Sequence, residues 1–270
     1  MKRFLVTGLV VIAFAACNSG DNNQYVDNSI MPATSGVSAP VNLTYTIIAQ
    51  YPHDTSAFTQ GLELHNGKMY EATGDFENSS IRVTDHTTGK VLQKHMMGND
   101  KIFGEGITIL NNKIYQLTWQ SHLVYVYDLD NINKPVKTFN WPYEGWGITN
   151  NGKDLFISDG TSNIYIVNPE DFKIKSTIGV VTDKGPLDSI NELELIGGFI
   201  YANIYTTDNI VKIDPESGHV VGIMDFKYLL PLTEKTSRTD YFNGIAYDTA
   251  SKTMFVTGKR WPKLYELKLN

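Results

Sequence analysis

Glu105 stands between two glycines and behind an aromatic residue, in the stretch FGEGIT. A carboxyl enclosed among aromatic rings has a raised pKa, because burial disfavours its charged form, and it can then give and take a proton near neutral pH. The same frame recurs with a different central residue each time: Gln60 in FTQGLE, Trp146 in EGWGIT, Asn191 in INELEL and Asn243 in YFNGIA. Glu105 is the one carboxylate among these five. The amides could donate to a carbonyl oxygen or accept from an amide. Trp146 and Trp119 could wall an apolar pocket or hold an ammonium against a ring face. Each has a plainer alternative: the acid could bond backbone amides, the amides could satisfy neighbouring strands, and the tryptophans could pack.

Those residues need elements to bring them together. From about Thr44 the chain is a series of short alternating segments, such as GKMYEAT, SIRVTDH, NKIYQLTW, SNIYIVNP, DNIVKIDP and KTMFVTG, separated by Gly, Asn, Asp or Pro. Period two and turn punctuation read as strands, and no amphipathic helix is expected in the main body. The repeated frames at Gly61, Gly106, Gly147, Glu192 and Gly244 are 45, 41, 45 and 52 residues apart, and each precedes a strand pair. Five repeats of that length predict an all-β fold, a five-bladed β-propeller with four-stranded antiparallel blades around a central channel. The strand near Tyr45 to Tyr51 is expected to complete the blade begun by the C-terminal strands, covering an open edge. In such a ring the central residues of the five frames converge at one channel mouth. The glycines read as relief of crowding where strands approach the axis.

Composition removes several other chemistries. The net charge is -6 and no basic run is present, which argues against nucleic acid as a partner. The histidines at 53, 65, 86, 95, 122 and 219 lack metal-ligand spacing. No GxSxG elbow, P-loop or GxGxxG motif appears. No metal and no cofactor are therefore expected. Cys17 is the only cysteine, which leaves the fold without an internal disulfide.

That cysteine has another place. MKRFLVTGLVVIAFAAC carries two basic residues, then an apolar stretch from Phe4 to Ala16, too short to span a bilayer and suited to a signal peptide. Residues 1–17 read as a lipoprotein-type signal ending at a lipidated Cys17, with an ordinary cleaved signal as the alternative. Residues 18–43, rich in Asn, Ser, Gly and Pro, read as a flexible polar tether. Residues 44–270 are the propeller domain. The expected location is the cell envelope, with membrane contact through the lipid anchor alone.

Six stretches in order carry a resemblance: YPHDTSAFTQGLEL, FGEGIT, LTWQS, YEGWGIT, INELEL and VTGKRWPKLYEL. Over about Tyr45 to Leu269 the chain resembles the plant-type glutamine cyclotransferases, five-bladed propellers unrelated to the zinc-dependent animal enzymes. The resemblance implies conversion of an N-terminal glutamine of a peptide or protein into pyroglutamate with release of ammonia. It implies Glu105 as general acid and base. Asn191, Gln60 and Lys259 match positions that bind the amide and steady an oxyanion, although Lys259 by itself reads as a surface lysine and Lys263 is its rival for the channel. Phe58, Phe103, Trp119 and Trp146 match the pocket walls. Tyr205 stands where the family usually has tryptophan. A monomer is expected. The rival reading is a non-catalytic envelope propeller that binds peptide termini or scaffolds partners.

Overall fold

Asn66–Gly67, Asn111–Asn112 and Gly197–Gly198 each take positive φ at both residues, from 50° to 86°. Two such residues in succession make the turn whose twist suits a tight hairpin, which is why Asn and Gly occupy these places. Each turn joins the innermost two strands of a blade. The computed structural model describes residues 36–97 and 101–270, and the chain from Thr34 to Asn270 forms one compact unit. Cys17, the signal segment and most of the tether lie outside the described residues.

Twenty of the described strands form five antiparallel blades of four; the short Val41–Asn42 extends one of them at its edge, and Val181–Thr182 and Gly185–Pro186 make a separate two-stranded sheet. The first blade is Thr59–His65, Lys68–Thr73, Ser80–Asp85 and Lys90–Met96. The second is Gly104–Leu110, Lys113–Thr118, Leu123–Asp128 and Lys137–Asn140. The third is Ile148–Asn150, Leu155–Ser158, Asn163–Val167 and Ile174–Gly179. The fourth is Ile190–Ile196, Phe199–Ile204, Asn209–Ile213 and Val220–Asp225. The fifth is Phe242–Asp248, Thr253–Gly258 and Lys263–Leu269, closed by Tyr45–Pro52 from the start of the domain. Neighbouring innermost strands contact one another, and the fifth returns to the first. The protein is thus a five-bladed β-propeller, as the repeat predicts. The described residues contain only one helical element, the 3-10 turn Leu232–Glu234 in the loop that lengthens the last repeat.

One boundary differs from the sequence reading. Val41–Asn42, assigned to the tether, pairs in parallel with Gly222 and Ile223 on the outer edge of the fourth blade. Leu43 follows with a backbone bond to Ile223 and its side chain covers Gly222. Two residues carry no visible strand period, so pairing at an exposed edge leaves no pattern to find.

Apolar side chains seal each of the five blade interfaces. Tyr70, Ile81 and Ile114 pack between blades one and two, and Leu117, Trp141 and Ile157 between two and three. Ile164, Ile190 and Val211 fill the next interface, Met224, Phe242 and Trp261 the fourth, and Leu62, Met69 and Phe255 the last. Each large apolar side chain so buried contributes about 1.5–3 kcal/mol.

Nearer the axis, three of the equivalent positions have no room for a side chain. A Cβ on Gly61 would lie 2.6 Å from the Ile107 nitrogen, and one on Gly106 would lie 2.7 Å from the Trp146 carbonyl. One on Gly147 would strike the Asn191 carbonyl and lie 2.7 Å from the Glu192 Cα. The glycines therefore pass the contact from blade to blade.

In the fourth blade the position is Glu192, whose carboxylate accepts the Leu62 and Ile245 amides at 3.3 and 2.9 Å across the axis. Glu194 accepts the Tyr247 amide at 3.0 Å, and Glu63 accepts the Thr108 hydroxyl at 3.1 Å. Burial pushes the Glu63 carboxyl up to about 7 and Glu194 well above its usual range, with mutual repulsion adding to Glu194. A raised folded pKa means that the native state binds more protons than the unfolded state, so stability falls as pH rises from about 4.5 through about 7. Thermal melting of Glu63→Gln should show a shallower decline over that range and a higher Tm than wild type at pH 8. Parallel profiles for the two proteins would clear Glu63 of the effect.

Candidate active site

Four of the five innermost strands carry a β-bulge at the frame residue. Register shifts between Thr59 and Gly61, Gly104 and Ile107, Ile190 and Leu193, and Phe242 and Ile245. A bulge leaves a residue out of the ladder and re-aims its side chain. Gln60, Glu105 and Asn191 are re-aimed into one cavity of about 150 Å3. Trp146 reaches it from the loop leading into the third blade. Gly147 behind it is held by the Ser158 hydroxyl at 2.8 Å, which itself donates to the Asn191 carbonyl at 2.6 Å.

The cavity is lined by Phe58, Gln60, Phe103, Glu105, Trp119, Trp146, Asn191, Tyr205 and Lys259. All nine are residues singled out from the sequence. Lys259, not Lys263, faces the cavity: it is 3% exposed, whereas Lys263 bonds Glu234 at 2.6 Å and Gln50 at 2.9 Å on the outside. Asn243, the fifth frame residue, does not join the lining. Its amide donates to the Thr59 and Gln60 carbonyls at 3.2 and 3.4 Å and so supports the Gln60 bulge from behind.

The rings form a cup. Phe103 meets Phe58 and Trp119 edge to face at 5.9 and 5.7 Å, and Trp146 meets Tyr205 at 5.4 Å. The Lys259 Nζ lies 4.8 Å from the Phe58 ring centre and 5.2 Å from that of Tyr205, a cation–π environment for an otherwise costly buried charge. Tyr205 therefore supplies a ring face at its place in the wall.

Glu105 has one side-chain partner, the Gln60 amide at 3.1 Å. Burial raises its pKa well above the usual carboxylate range; Lys259 opposes the rise and Glu144 adds to it. Burial lowers the Lys259 pKa, opposed by Glu105 and Asp240. Burial thus favours the uncharged form of each, leaving a carboxyl that can give and take a proton beside an amine that can donate a hydrogen bond. The Gln60 Oε1 and Asn191 Oδ1 atoms are buried with no partner. Unpaired buried polar atoms are expensive, and a ligand bearing an amide would complete them.

Sequence reasoning missed Glu144. It lies two residues before Trp146, and its Oε2 accepts the indole N–H of both Trp119 and Trp146, at 2.8 and 3.0 Å. Nothing in the repeat marks it, because its role depends on two indoles meeting from different blades.

A propeller whose axis ends in an aromatic cup with one buried acid, one buried amine and two unpaired amide oxygens has the form of a catalytic site for a small polar group. The sequence profile described as glutamine cyclotransferase matches residues 11–269. The glutaminyl-peptide cyclotransferase of Arabidopsis thaliana is 40% identical over 227 residues, 83% of this chain and 70% of that protein. The crystal structure of Myxococcus xanthus glutaminyl cyclase superposes with a TM-score of 0.78 at 34% identity, covering 86% of this chain and 98% of that one. The chain belongs to the glutamine cyclotransferase family.

Proposed function

We propose that the protein is a glutaminyl-peptide cyclotransferase that closes the N-terminal glutamine of peptides and proteins to pyroglutamate and releases ammonia. The observation that carries this is Glu105, buried in an aromatic cup beside amide atoms that lack partners. The substrate's α-amine attacks its own side-chain carbonyl carbon, the new N–C bond forms, and the old C–N bond breaks. Both reacting groups belong to one residue, so holding that residue curled supplies much of the rate. Glu105 as carboxylate takes one proton from the attacking nitrogen and returns it to the departing nitrogen, which leaves as ammonia. The Asn191 and Gln60 amides and the Lys259 Nζ are the donors for the oxyanion between those steps.

The reaction we propose is metal-independent, because the cup supplies a carboxyl, an amine and two amides but neither imidazole nor thiolate. The enzyme acts as a monomer, and a lipid on Cys17 holds it to the cell envelope; membrane fractionation of Cys17→Ser tests the anchor. For the reaction, purified protein is incubated with a Gln-Ala-amide substrate and a chelator while ammonia is measured. Steady chelator-resistant release is expected. A folded protein that releases none from several Gln-peptides would sink the proposal and favour a peptide-binding propeller.

A further inference from the structure

Of the four tryptophans in the chain, three direct their indole N–H to one residue. Trp119, from the second blade, and Trp146, entering the third, donate to the same Glu144 Oε2 at 2.8 and 3.0 Å. Trp141 donates to the Glu144 backbone carbonyl at 3.1 Å. The other carboxylate oxygen accepts the Gln120 amide at 3.1 Å. The loop is fixed on its other side: the Gly145 nitrogen donates to the Thr118 carbonyl, and a Cβ there would lie 2.8 Å from Leu117. A packed tryptophan needs only one acceptor, and a backbone carbonyl serves. A shared carboxylate oxygen does more, because it couples two walls of the cavity and places a negative charge behind both.

We propose that Glu144 is a positioning residue of the cyclisation site, which sets the planes of Trp119 and Trp146 and supplies the counter-charge for a substrate amino terminus that binds against them as the ammonium and gives one proton to solvent before it attacks. The inference rests on the activity proposed above. An N–H bonded to a carboxylate makes its indole a richer π donor, and a ring face already attracts an ammonium. Glu144 remains charged to do this: burial would raise its pKa, but the bonds from Trp146, Gln120 and Trp119 outweigh burial and hold it low.

Glu144 also acts on Glu105 through space. The charged and titratable groups facing Glu105 are Lys259 from the fifth blade, Glu144 before the third and Tyr205 from the loop between the second and third strands of the fourth. His122 faces Glu144 from the second blade. Removing the Glu144 charge takes away the one named carboxylate that raises the Glu105 pKa, so the acidic limb of the pH–rate profile moves to lower pH.

The test is Glu144→Gln, which keeps the shape and one acceptor oxygen for the two indoles, and loses the charge together with the bond from the Gln120 amide. With Gln-Ala-amide, KM should rise about tenfold with kcat little changed, as expected for a lost cation contact, and the acidic limb of kcat/KM should move down. Binding is measured separately by tryptophan fluorescence with Asn-Ala-amide, whose side chain is one methylene too short to close a five-membered ring. Wild type should bind this probe about tenfold more tightly than the variant. Equal affinities, or no binding by wild type, overturn the role of Glu144 even in an active enzyme. Wild-type binding without any ammonia release from Gln-peptides overturns the activity and leaves the amino-terminus site. Glu144→Ala, which frees both indoles, should weaken binding further; if it misfolds, the Gln variant still decides.

Discussion

Glu105→Gln should lower kcat for pyroglutamate formation by about 10²–10⁴-fold, the usual contribution of a positioned acid–base group. The substitution keeps the volume and can retain a bond to the Gln60 amide that Glu105 accepts at 3.1 Å. KM should change little, since the amides, Lys259 and the rings remain. The protein should be at least as stable as wild type near neutral pH. A carboxyl whose folded pKa is raised by burial costs the fold stability progressively as the pH rises from the unfolded value through the folded one, and an amide cannot ionise. In wild type, kcat/KM should climb with pH through that raised pKa, whereas the residual activity of the variant should lose that limb. Ammonia release by a folded Glu105→Gln protein within a few-fold of wild type would remove Glu105 from the proton transfer.

Arg82→Ala should destabilise the domain by about 3–5 kcal/mol, the cost of removing one partner from a buried ion pair. Arg82 is 1% exposed, with its Nε 2.9 Å from Glu71 and an Nη 2.7 Å from Asp54. Glu71 also binds His53 at 3.0 Å and the Thr59 hydroxyl at 2.7 Å. The network thus ties the loop after the closing strand to the first blade, immediately beside Gln60. Burial alone would raise the Glu71 pKa, but Arg82 and His53 bring it down to about 2. A depressed folded pKa contributes stability above about pH 4.5 that is lost as pH falls toward 2. The gap between wild type and Arg82→Ala in denaturant melts should therefore be widest near neutrality and narrow below about pH 4. A loss under 1 kcal/mol, or a gap independent of pH, would mean that water or repacking replaces the guanidinium.

The blades were legible because a propeller writes its geometry as a period. Asn66–Gly67 and Asn111–Asn112 mark hairpins by themselves, and the repeated glycines mark where blades meet. Gln60, Glu105, Trp146 and Asn191 were legible because equivalent strand positions must converge. The same logic carried too far at Asn243, which bonds backwards to Thr59 and Gln60 rather than facing the cavity. A repeat shows equivalent places, while local bonding decides where each amide turns. Lys259 and Tyr205 could be placed in the lining only through resemblance to the family, and Trp119 from the residues alone was as readily a packing residue, because all three lie in loops where no period constrains direction. Glu144 and the Arg82 network escaped because their meaning is tertiary. Neither indole, nor Glu71, announces its partner within its own stretch.

The closing blade has a consequence for synthesis. Tyr45 pairs with Leu269, so the final sheet joins residues from nearly opposite ends of the chain. A ribosome-bound chain can make four blades yet must leave the Tyr45–Pro52 strand unmatched until the last segment emerges. Phe58 and Lys259, which meet in the cup at 4.8 Å, come from either side of that seam. The pocket thus forms only once Lys263–Leu269 has been made rather than growing blade by blade, and a product cut short before that strand would display an adhesive edge in its place.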